Sequence, residues 1–547
     1  MATQLESDPQ DTRRVKTQRV LICDALDPVA VEIFDQRGVE TEIRTGLSED
    51  ELVLAAPEFD GLVVRSATRV TRRILEAAPR VRVVGRAGIG VDNVDCVAAT
   101  ERGVVVMNTP TGNATTTAEL AISLLCSLAR HVPRADRVAR SGSWKKKGLT
   151  GTEITGKRLG IVGLGRIGRL VAARGQGLKM QVSAYDPYVQ QQGIESPVAG
   201  VELLDLDELL ATSDFISIHV PLMDSTRNLL SWERISKIKP GARLINVARG
   251  GIVDEEAVVD ALVEGRLAGA AFDVLATEPP PADHPFLGRD DVILTPHLGA
   301  SSHEAQVRVA HDIAVGLSDF LLDGISANAV NAPAIPAEAM REMAPFLQLA
   351  EKIGAFLAQR LREPIRKLEL TVAGDVAQHD VEPIRLAVLV GVLRQSLETG
   401  VNFVNADALA RERGLRILTS SGEETEYVRG HIKVRASTRA AADSHVVSGA
   451  VFGREPRIVR VDGVHLDLPP TGTLLLTRHH DRPGVFGQLG SLLGEQGINI
   501  RRVELGPVRG EDGTATGFLT LYGVPDPDVI AAIAAMPAVE EVQLIQL

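Results

Sequence analysis

Residues 158–168 read RLGIVGLGRIG, a short apolar run that passes directly into a G-x-G-x-x-G pattern. The run is brief and apolar, as in a buried strand, and the segment that follows has the periodicity of a helix. In such a strand–turn–helix unit the first glycine permits the tight turn, the second lets the backbone approach a pyrophosphate, and the third lets helix and strand pack closely. Gly163, Gly165 and Gly168 therefore predict a dinucleotide-binding α/β fold.

An acidic residue follows the next predicted strand, at the spacing from the glycines that is typical of a residue contacting the ribose of a dinucleotide. The strand MQVSAY ends at Asp186, 18 residues after Gly168. A carboxylate at this position accepts hydrogen bonds from a ribose hydroxyl and repels a 2′-phosphate. The pattern favours NAD over NADP, and a structural glycine-rich turn with a surface acid is the alternative.

Polar side chains also follow three later predicted strands. Arg249 follows LINVA, Asp273 follows AGAAF with Glu278 in the proline-rich loop beyond it, and His297 follows VILTP. Ligands of open α/β sheets bind beyond the carboxyl ends of the strands. We therefore expect a guanidinium, two carboxylates and an imidazole to meet in one crevice.

This set of side chains suits the oxidation of a 2-hydroxy acid. An imidazole titrates near neutral pH, so His297 fits the base that takes the hydroxyl proton. Glu278 can hold the second ring nitrogen, Arg249 can bind the substrate carboxylate bidentately, and Asp273 can lie near the nicotinamide. A structural histidine and an ordinary Arg249–Glu278 ion pair are the alternatives.

Alternating strand and helix patterns run from Arg19 to about Asn331 and predict two successive doubly wound, Rossmann-like α/β domains. The helix after the last strand is expected to pack back on the first domain. The final segment has the β-α-β-β-α-β order of a ferredoxin-like fold. The predicted divisions are a disordered lead-in (1–17), a substrate-binding domain (18–112 and 300–331), an NAD-binding domain (113–299), an α+β domain (332–468) and a ferredoxin-like domain (471–547).

Composition excludes several classes of protein. The 547 residues are 44% hydrophobic, carry a net charge of −12 and include only 3% aromatic residues, which argues against a disordered chain and against a nucleic-acid partner. Cys23, Cys96 and Cys126 form no C-x-x-C pattern, so neither a disulfide framework nor a metal site is expected. The first residues lack a signal-peptide core, and no apolar run is long enough to span a membrane. The expected compartment is the cytoplasm.

Four segments resemble one known family: GLGRIGRLVA, INVARGGIVDEEAVVDAL, AAFDVLATEPP and TPHLGASSHEAQ. They are similar to the D-isomer-specific 2-hydroxyacid dehydrogenases, over about Val20 to Val330. VGRAGIGVDNVD and VVVMNTPTGNATTTAELA resemble the long-form members that act on 3-phosphoglycerate. GVNFVNADALARERGL resembles the intervening domain of those members, and HHDRPGVFGQLGSLLGEQGINI resembles an ACT domain, a module that senses small molecules.

The resemblance implies roles for individual residues. Its catalytic set is Arg249, Glu278 and His297. Its NAD contacts are Ile89, Arg166, Ile167, Asp186, Val220, Val247, Ala248, Asp273, His297, Leu298, Gly299 and Ala300. Its substrate contacts are Arg65, Ser66, Arg86 and Asn108, and its effector contacts, for L-serine, are His479, Asp481 and Asn499. Because the substrate carries a carboxylate and a phosphate, Arg130 and Lys145, Lys146 and Lys147 are further candidate cations, although a solvated loop explains the lysines equally well.

The implied activity is the NAD-dependent oxidation of 3-phospho-D-glycerate to 3-phosphohydroxypyruvate, the first step of L-serine biosynthesis. Reduction of 2-oxoglutarate is a conceivable side activity, and a homo-oligomer, dimer or tetramer, is expected. Two other functions remain open. One is a glyoxylate or hydroxypyruvate reductase of the same family, and the other is a non-enzymatic NAD-sensing scaffold similar to the co-repressors built on this fold. A formate dehydrogenase is disfavoured because Glu278 places a carboxylate beside the histidine.

Overall fold

The computed structural model describes residues 17–191, 196–335, 337–361, 363–397, 400–422, 430–439, 444–506 and 513–547. The predicted lead-in, residues 1–17, lies outside these ranges except for Thr17. Among the described residues, no helix combines the length and the apolar character needed to cross a membrane.

The first sheet is parallel and has the strand order β2-β1-β3-β4-β5. Its strands are β1 (Arg19–Ile22), β2 (Glu40–Ile43), β3 (Gly61–Val64), β4 (Val83–Arg86) and β5 (Val105–Asn108). The intervening helices are α1 (Val29–Gln36), α2 (Glu49–Ala55), α3 (Arg72–Ala77) and α4 (Cys96–Glu101), with a 3₁₀ turn at Ala56–Glu58. β3 is buried throughout, as expected for a strand that helices cover on both faces.

The second sheet is also parallel, in the order β12-β11-β10-β9-β6-β7-β8. Its strands are β6 (Arg158–Val162), β7 (Gln181–Tyr185), β8 (Glu202–Leu203), β9 (Phe215–Ile218), β10 (Ala242–Asn246), β11 (Leu267–Phe272) and β12 (Val292–Leu294). Its helices are α5 (Ala114–Arg130), α6 (Val132–Arg140), α7 (Arg166–Gly177), α8 (Pro187–Gln191), α9 (Leu206–Thr212), α10 (Trp232–Ile235) and α11 (Glu255–Val263). The strand order reverses between β6 and β9, and a crevice at such a switch point is where these folds bind ligands.

Helix α12 (His303–Asp323) follows the second sheet but packs on the first. Ile313 and Leu317 are buried in one cluster with Val20, Phe34 and Val83. Ser302 caps the helix by accepting a hydrogen bond from the backbone of its first turn, and a left-handed glycine ends it. The chain therefore returns to the first sheet after completing the second.

The third sheet is mixed and has the order β14-β13-β15-β16-β17-β18. Its strands are β13 (Lys367–Ala373), β14 (Arg416–Gly422), β15 (His431–Ser437), β16 (Ser444–Phe452), β17 (Glu455–Val461) and β18 (Val464–Leu468). Helices α13 (Ala337–Arg360), α14 (Glu382–Arg394) and α15 (Ala406–Glu412) accompany it, with a 3₁₀ turn at Asp375–Gln378. Residues 401–405 form a turn, because the side chain of Asn402 accepts hydrogen bonds from the backbone of Val404 and Asn405.

The fourth sheet is antiparallel, with the order β20-β21-β19-β22. Its elements are β19 (Thr473–His480), α16 (Val485–Glu495), β20 (Asn499–Leu505), β21 (Thr514–Tyr522), α17 (Pro527–Ala534) and β22 (Val539–Gln546). The predicted ferredoxin-like order is confirmed. Leu474, Leu476, Phe518 and Ile545 extend from this sheet into the core of the third sheet, so the two C-terminal units share one apolar core.

Candidate active site

The three glycines of the fingerprint lie where β6 passes into α7. A Cβ at Gly163 would lie 2.7 Å from the carbonyl oxygen of His219, and one at Gly168 would lie 2.0 Å from the carbonyl oxygen of Gly163. At Gly165 an added Cβ would meet no described atom within 4 Å. Two of the glycines therefore allow close packing, whereas Gly165 opens onto free space at the N-terminus of a twelve-residue helix. This cradle fits the pyrophosphate of a dinucleotide.

Asp186 stands at the carboxyl end of β7, beside this cradle. Its Oδ2 accepts a hydrogen bond of 2.9 Å from the backbone N–H of Leu164, and its Oδ1 accepts from Tyr188 and Val189. The carboxylate is therefore fixed against the glycine turn. A carboxylate has about four acceptor positions, so capacity remains for a ribose hydroxyl.

Arg249 and His297 line one cleft of about 670 Å³ between the two parallel sheets, and Glu278 contacts His297. Nδ1 of His297 lies 2.7 Å from Oε2 of Glu278, and Oε1 of Glu278 accepts from the backbone N–H of Leu275 at 3.0 Å. Arg249 lines the same cleft from the loop after β10. His297 has a φ of +54°, a conformation that non-glycine residues adopt rarely and that is often found at functional sites.

Asp273 holds the loop that carries the histidine. It is 2% exposed, and its carboxylate accepts hydrogen bonds from the Thr295 hydroxyl and from the backbone N–H groups of Leu298 and Gly299, at 2.6–2.9 Å. The backbone N–H of His297 donates to the carbonyl oxygen of Asp273. These four bonds account for the left-handed turn at the histidine. Asp273 also lines the cleft, but its carboxylate is engaged with the protein.

A cationic wall closes the side of the cleft formed by the first sheet. Arg86 ends β4 and Asn108 ends β5, and both line the cleft. Burial and the neighbouring Arg249 cation lower the pKa of Arg86 to about 10. The Nε of Arg86 is buried and has no hydrogen-bond partner among the described residues. This wall can accept a strongly anionic ligand, because such a ligand would relieve the repulsion between the guanidinium groups.

Most of the other predicted contacts also line the cleft: Ile89, Arg166, Ile167, Val220, Val247, Ala248, Gly299 and Ala300. Arg65 follows β3, is near enough to Arg86 to affect its pKa, and donates to the carbonyl oxygen of Ala25. Ser66, next to it, is exposed, and Leu298 is 38% exposed beside the histidine.

Two groups of predicted substrate cations do not reach this cleft within one chain. Arg130 is the last residue of α5, whose N-terminal end carries Thr117 at the cleft. Seventeen helical residues span about 25 Å, so Arg130 stands at the far end. Lys145, Lys146 and Lys147 are exposed in the loop after α6, which matches the alternative of a solvated loop.

The three predicted effector residues lie apart within one chain. His479 is buried in β19 and pairs with Ala515 in β21. The exposed Asp481 comes directly after β19. Asn499 pairs with Tyr522, seven residues further along β21. At 3.3 Å per residue the two ends of the strand are about 23 Å apart. A single site containing all three residues therefore requires a second copy of the chain.

Three residues of the site were missed by the analysis of the sequence. His219 follows β9 and lines the cleft, so the rule of polar residues at strand ends would have found it. Asn246 is 1% exposed and fixes the loop of Arg249, because its amide donates to the Arg249 carbonyl oxygen and accepts from the Ala248 N–H. Asp92 contacts Arg249 from the first sheet. No local pattern identifies this last pair.

Comparison with known proteins gives three family matches along the chain. Residues 122–299 match the NAD-binding domain of the D-isomer specific 2-hydroxyacid dehydrogenases, residues 342–462 match the intervening domain of D-3-phosphoglycerate dehydrogenase, and residues 473–536 match the ACT domain. The chain is 40% identical to the D-3-phosphoglycerate dehydrogenase of Synechocystis sp., over 90% of this chain and 89% of the relative. It is 38% identical to that of Archaeoglobus fulgidus, over 97% and 100%.

The chain belongs to the D-3-phosphoglycerate dehydrogenase family. The resemblance inferred from the sequence is therefore confirmed, and so is the predicted fold class. The chain is also similar to a solved NAD-dependent formate dehydrogenase of Staphylococcus aureus in complex with NAD. The match covers 56% of this chain and 96% of the formate dehydrogenase, with 31% identity and a TM-score of 0.51.

Proposed function

We propose that the protein oxidises 3-phospho-D-glycerate to 3-phosphohydroxypyruvate with NAD, the first step of L-serine biosynthesis. The observation that carries this proposal is the 2.7 Å contact between His297 and Glu278, in a cleft that also holds Arg249 and faces a dinucleotide cradle. The names of the relatives supply the substrate, and the cationic wall of the cleft suits a molecule with a carboxylate and a phosphate.

NAD held at the cradle of Gly163, Gly165 and Gly168 would supply the acceptor for the hydride that leaves C2 of the substrate. His297 takes the hydroxyl proton at Nε2, because its Nδ1 donates to Glu278 and the ring then presents its lone pair at Nε2. Glu278 orients the ring and stabilises the imidazolium that forms. In the reverse direction the same imidazolium returns the proton to the C2 oxygen.

Arg249 binds the substrate carboxylate and polarises the C2 oxygen in this proposal. Arg86, Arg65, Ser66 and Asn108 form the side that faces the rest of the substrate. Asp186 binds the adenosine ribose of NAD, and its negative charge disfavours the 2′-phosphate of NADP. Arg130 and the three lysines would reach a substrate only from a second copy of the chain or after a rearrangement.

We divide the chain as the sequence suggests, with a substrate-binding domain (18–112 and 300–331), an NAD-binding domain (113–299), an intervening domain (332–468) and an ACT domain (471–547). The packing of α12 on the first sheet supports the discontinuous first domain. The shared core of the two C-terminal domains supports their acting as one unit.

We further propose that L-serine binds the ACT domain of a homo-oligomer, dimer or tetramer. The separation of Asn499 from His479 and Asp481 supports a site built from two copies. Reduction of 2-oxoglutarate remains a proposed side activity. Three free thiols fit a reducing compartment such as the cytoplasm.

The test is an NADH-consumption assay with phosphohydroxypyruvate, hydroxypyruvate and glyoxylate, repeated with L-serine. The proposal expects the phosphorylated substrate to have the highest kcat/KM. A preference for glyoxylate or hydroxypyruvate would identify a reductase of the wider family, and no oxidation of NADH with any 2-oxo acid would indicate a scaffold. Light scattering with and without L-serine measures the oligomeric state.

A further inference from the structure

An ion pair crosses the cleft between the two parallel sheets. Nε of Arg249 donates to Oδ2 of Asp92 at 2.7 Å. Arg249 follows β10 of the second sheet, and Asp92 lies in the loop between β4 and α4 of the first sheet. The side chain of Asp92 is 52% exposed and that of Arg249 is 26% exposed. The pair thus joins the catalytic guanidinium to the opposite wall of the cleft.

Protein groups also contact the two terminal nitrogens of the Arg249 guanidinium, which lines the cleft. Nη1 donates to the carbonyl oxygen of Ala248 at 2.7 Å. Nη2 lies 1.6 Å from the position that a Cβ on Gly90 would occupy. Nη1 of Arg86 lies at the same distance from the position of a Cβ on Gly88. The two glycines therefore leave room for two guanidinium groups, side by side, against one stretch of backbone.

Two cations placed together in this way repel each other. Arg249 lowers the pKa of Arg86, whereas Asp92 raises it. Asp92, and to a smaller extent Asp24, therefore offsets the repulsion that the neighbouring cations exert on Arg86. Its hydrogen bond is made to Nε, and this leaves the remaining N–H of each terminal nitrogen as donors for a ligand.

We propose that Asp92 is a positioning residue for the carboxylate-binding arginine. It fixes the orientation of the Arg249 guanidinium across the cleft, so that the terminal nitrogens meet the C1 carboxylate and the C2 oxygen of the substrate. Asp92 lines the same cleft, and the role proposed for it is to hold Arg249 rather than to bind the substrate. This inference rests on the proposed function, because it takes Arg249 as the group that binds the carboxylate.

The alternative is an ordinary ion pair that only helps to hold the two sheets together. The two roles differ in which kinetic parameters they change. A positioning role affects every 2-oxo acid that carries the carboxylate, by the same factor and with or without a phosphate, and leaves the KM for NADH unchanged. A purely structural role lowers the unfolding temperature and leaves kcat/KM unchanged for the fraction that is folded.

The experiment compares Asp92→Asn and Asp92→Ala with wild type in the full-length protein, using phosphohydroxypyruvate and hydroxypyruvate as substrates. Loss of a charge-assisted hydrogen bond to a group that stabilises the transition state is expected to lower kcat/KM by about tenfold in Asp92→Ala. Asp92→Asn keeps an acceptor of the same shape without the charge, so its loss should be smaller. The KM for NADH and the unfolding temperature should stay at the wild-type values.

Asp50→Asn is the matched control, because Asp50 also pairs with an arginine of the first sheet's helices, Arg73 at 2.6 Å, but does not line the cleft. It should leave all kinetic parameters unchanged. An Asp92→Ala enzyme with wild-type kcat/KM overturns the inference. An increase in kcat/KM of the Asp92 variants that is larger for phosphohydroxypyruvate than for hydroxypyruvate also overturns it, because Asp92 would then act only by repelling anions.

Failure of the proposed function would be seen separately. In that case the wild-type enzyme would not reduce phosphohydroxypyruvate but would reduce another 2-oxo acid. The same Asp92 variants can then be compared on that acid, so the two ideas stand or fall independently.

Discussion

The side-chain amide of Asn402 donates to the carbonyl oxygen of Gly103 at 2.7 Å, across 299 residues of sequence. Gly103 lies in the turn before β5, the strand that ends at Asn108 in the cleft. Asn402 lies in the turn before α15 of the intervening domain, and Asn405 closes that turn by accepting from the Asn402 N–H. The intervening domain is therefore attached to a strand that carries a substrate-side residue.

We predict that Gly103→Ala destabilises the protein more than Gly38→Ala. Both glycines have a positive φ, +70° and +74°, so each alanine carries the left-handed penalty of about 1–2 kcal/mol. Only at Gly103 would the new Cβ come within 2.6 Å of the Asn402 amide, which displaces the hydrogen bond and costs about 1 kcal/mol more. Thermal unfolding of the full chain measures the difference, and equal shifts in the two variants would show that the contact contributes nothing to stability.

A second prediction concerns the proposed base. His297→Ala should lower kcat by roughly 10²–10⁴-fold, the usual contribution of general acid–base catalysis. Glu278→Gln should lower kcat by a smaller factor, because an amide cannot stabilise the imidazolium although it can still contact the ring. The affinity for NADH, measured by fluorescence titration, should change little in either variant. Near wild-type turnover of phosphohydroxypyruvate in His297→Ala would rule out this histidine as the base.

A third prediction separates the packing role of the fingerprint from its binding role. Gly168→Ala places a Cβ 2.0 Å from the carbonyl oxygen of Gly163, so the strand and helix must move apart and the unfolding temperature should fall. Gly165→Ala meets open space and should leave the unfolding temperature unchanged while it weakens NADH binding at least tenfold, because the methyl group occupies the approach of the pyrophosphate. Calorimetry and NADH titration on both variants provide the test. Unchanged NADH affinity in Gly165→Ala would place the pyrophosphate elsewhere.

The residues that could be predicted from the sequence are those whose role depends on local spacing. The fingerprint, Asp186 and the residues after β10, β11 and β12 follow from strand and helix periodicity, since each strand end adjoins the cleft. His219 obeys the same rule and was overlooked. The path of α12 was also predictable, because its apolar face needs a sheet to cover.

The contacts that could not be predicted depend on how separate units are placed. Asp92 and Arg249 are 157 residues apart, and their pairing requires the relative position of two sheets. Likeness to an ACT domain groups His479 with Asn499, yet the register of β21 puts them at opposite ends of the sheet.

A final prediction links acid sensitivity to the buried histidine of the ACT domain. His479 is 1% exposed, lies with its ring edge-on to Phe486 at 5.0 Å, and has the Thr477 hydroxyl 3.2 Å from Nδ1. Burial lowers its pKa, with His480 acting in the same direction and Asp481 and Thr477 opposing.

The folded chain therefore keeps His479 neutral at a pH where the unfolded chain takes up a proton. The resulting stability is present above the unfolded pKa of about 6.5 and is lost as the pH falls through that value toward the lower folded pKa. Burial lowers the pKa of His219 to about 3, so this second histidine adds a loss of the same sign. Calorimetry at pH 7.5 and 5.5 should show that the unfolding temperature falls less in His479→Gln than in wild type. In the control His311→Gln, whose side chain is 54% exposed, the fall should equal that of wild type. An equal fall in wild type and His479→Gln would mean that the ACT histidine contributes nothing to the acid sensitivity.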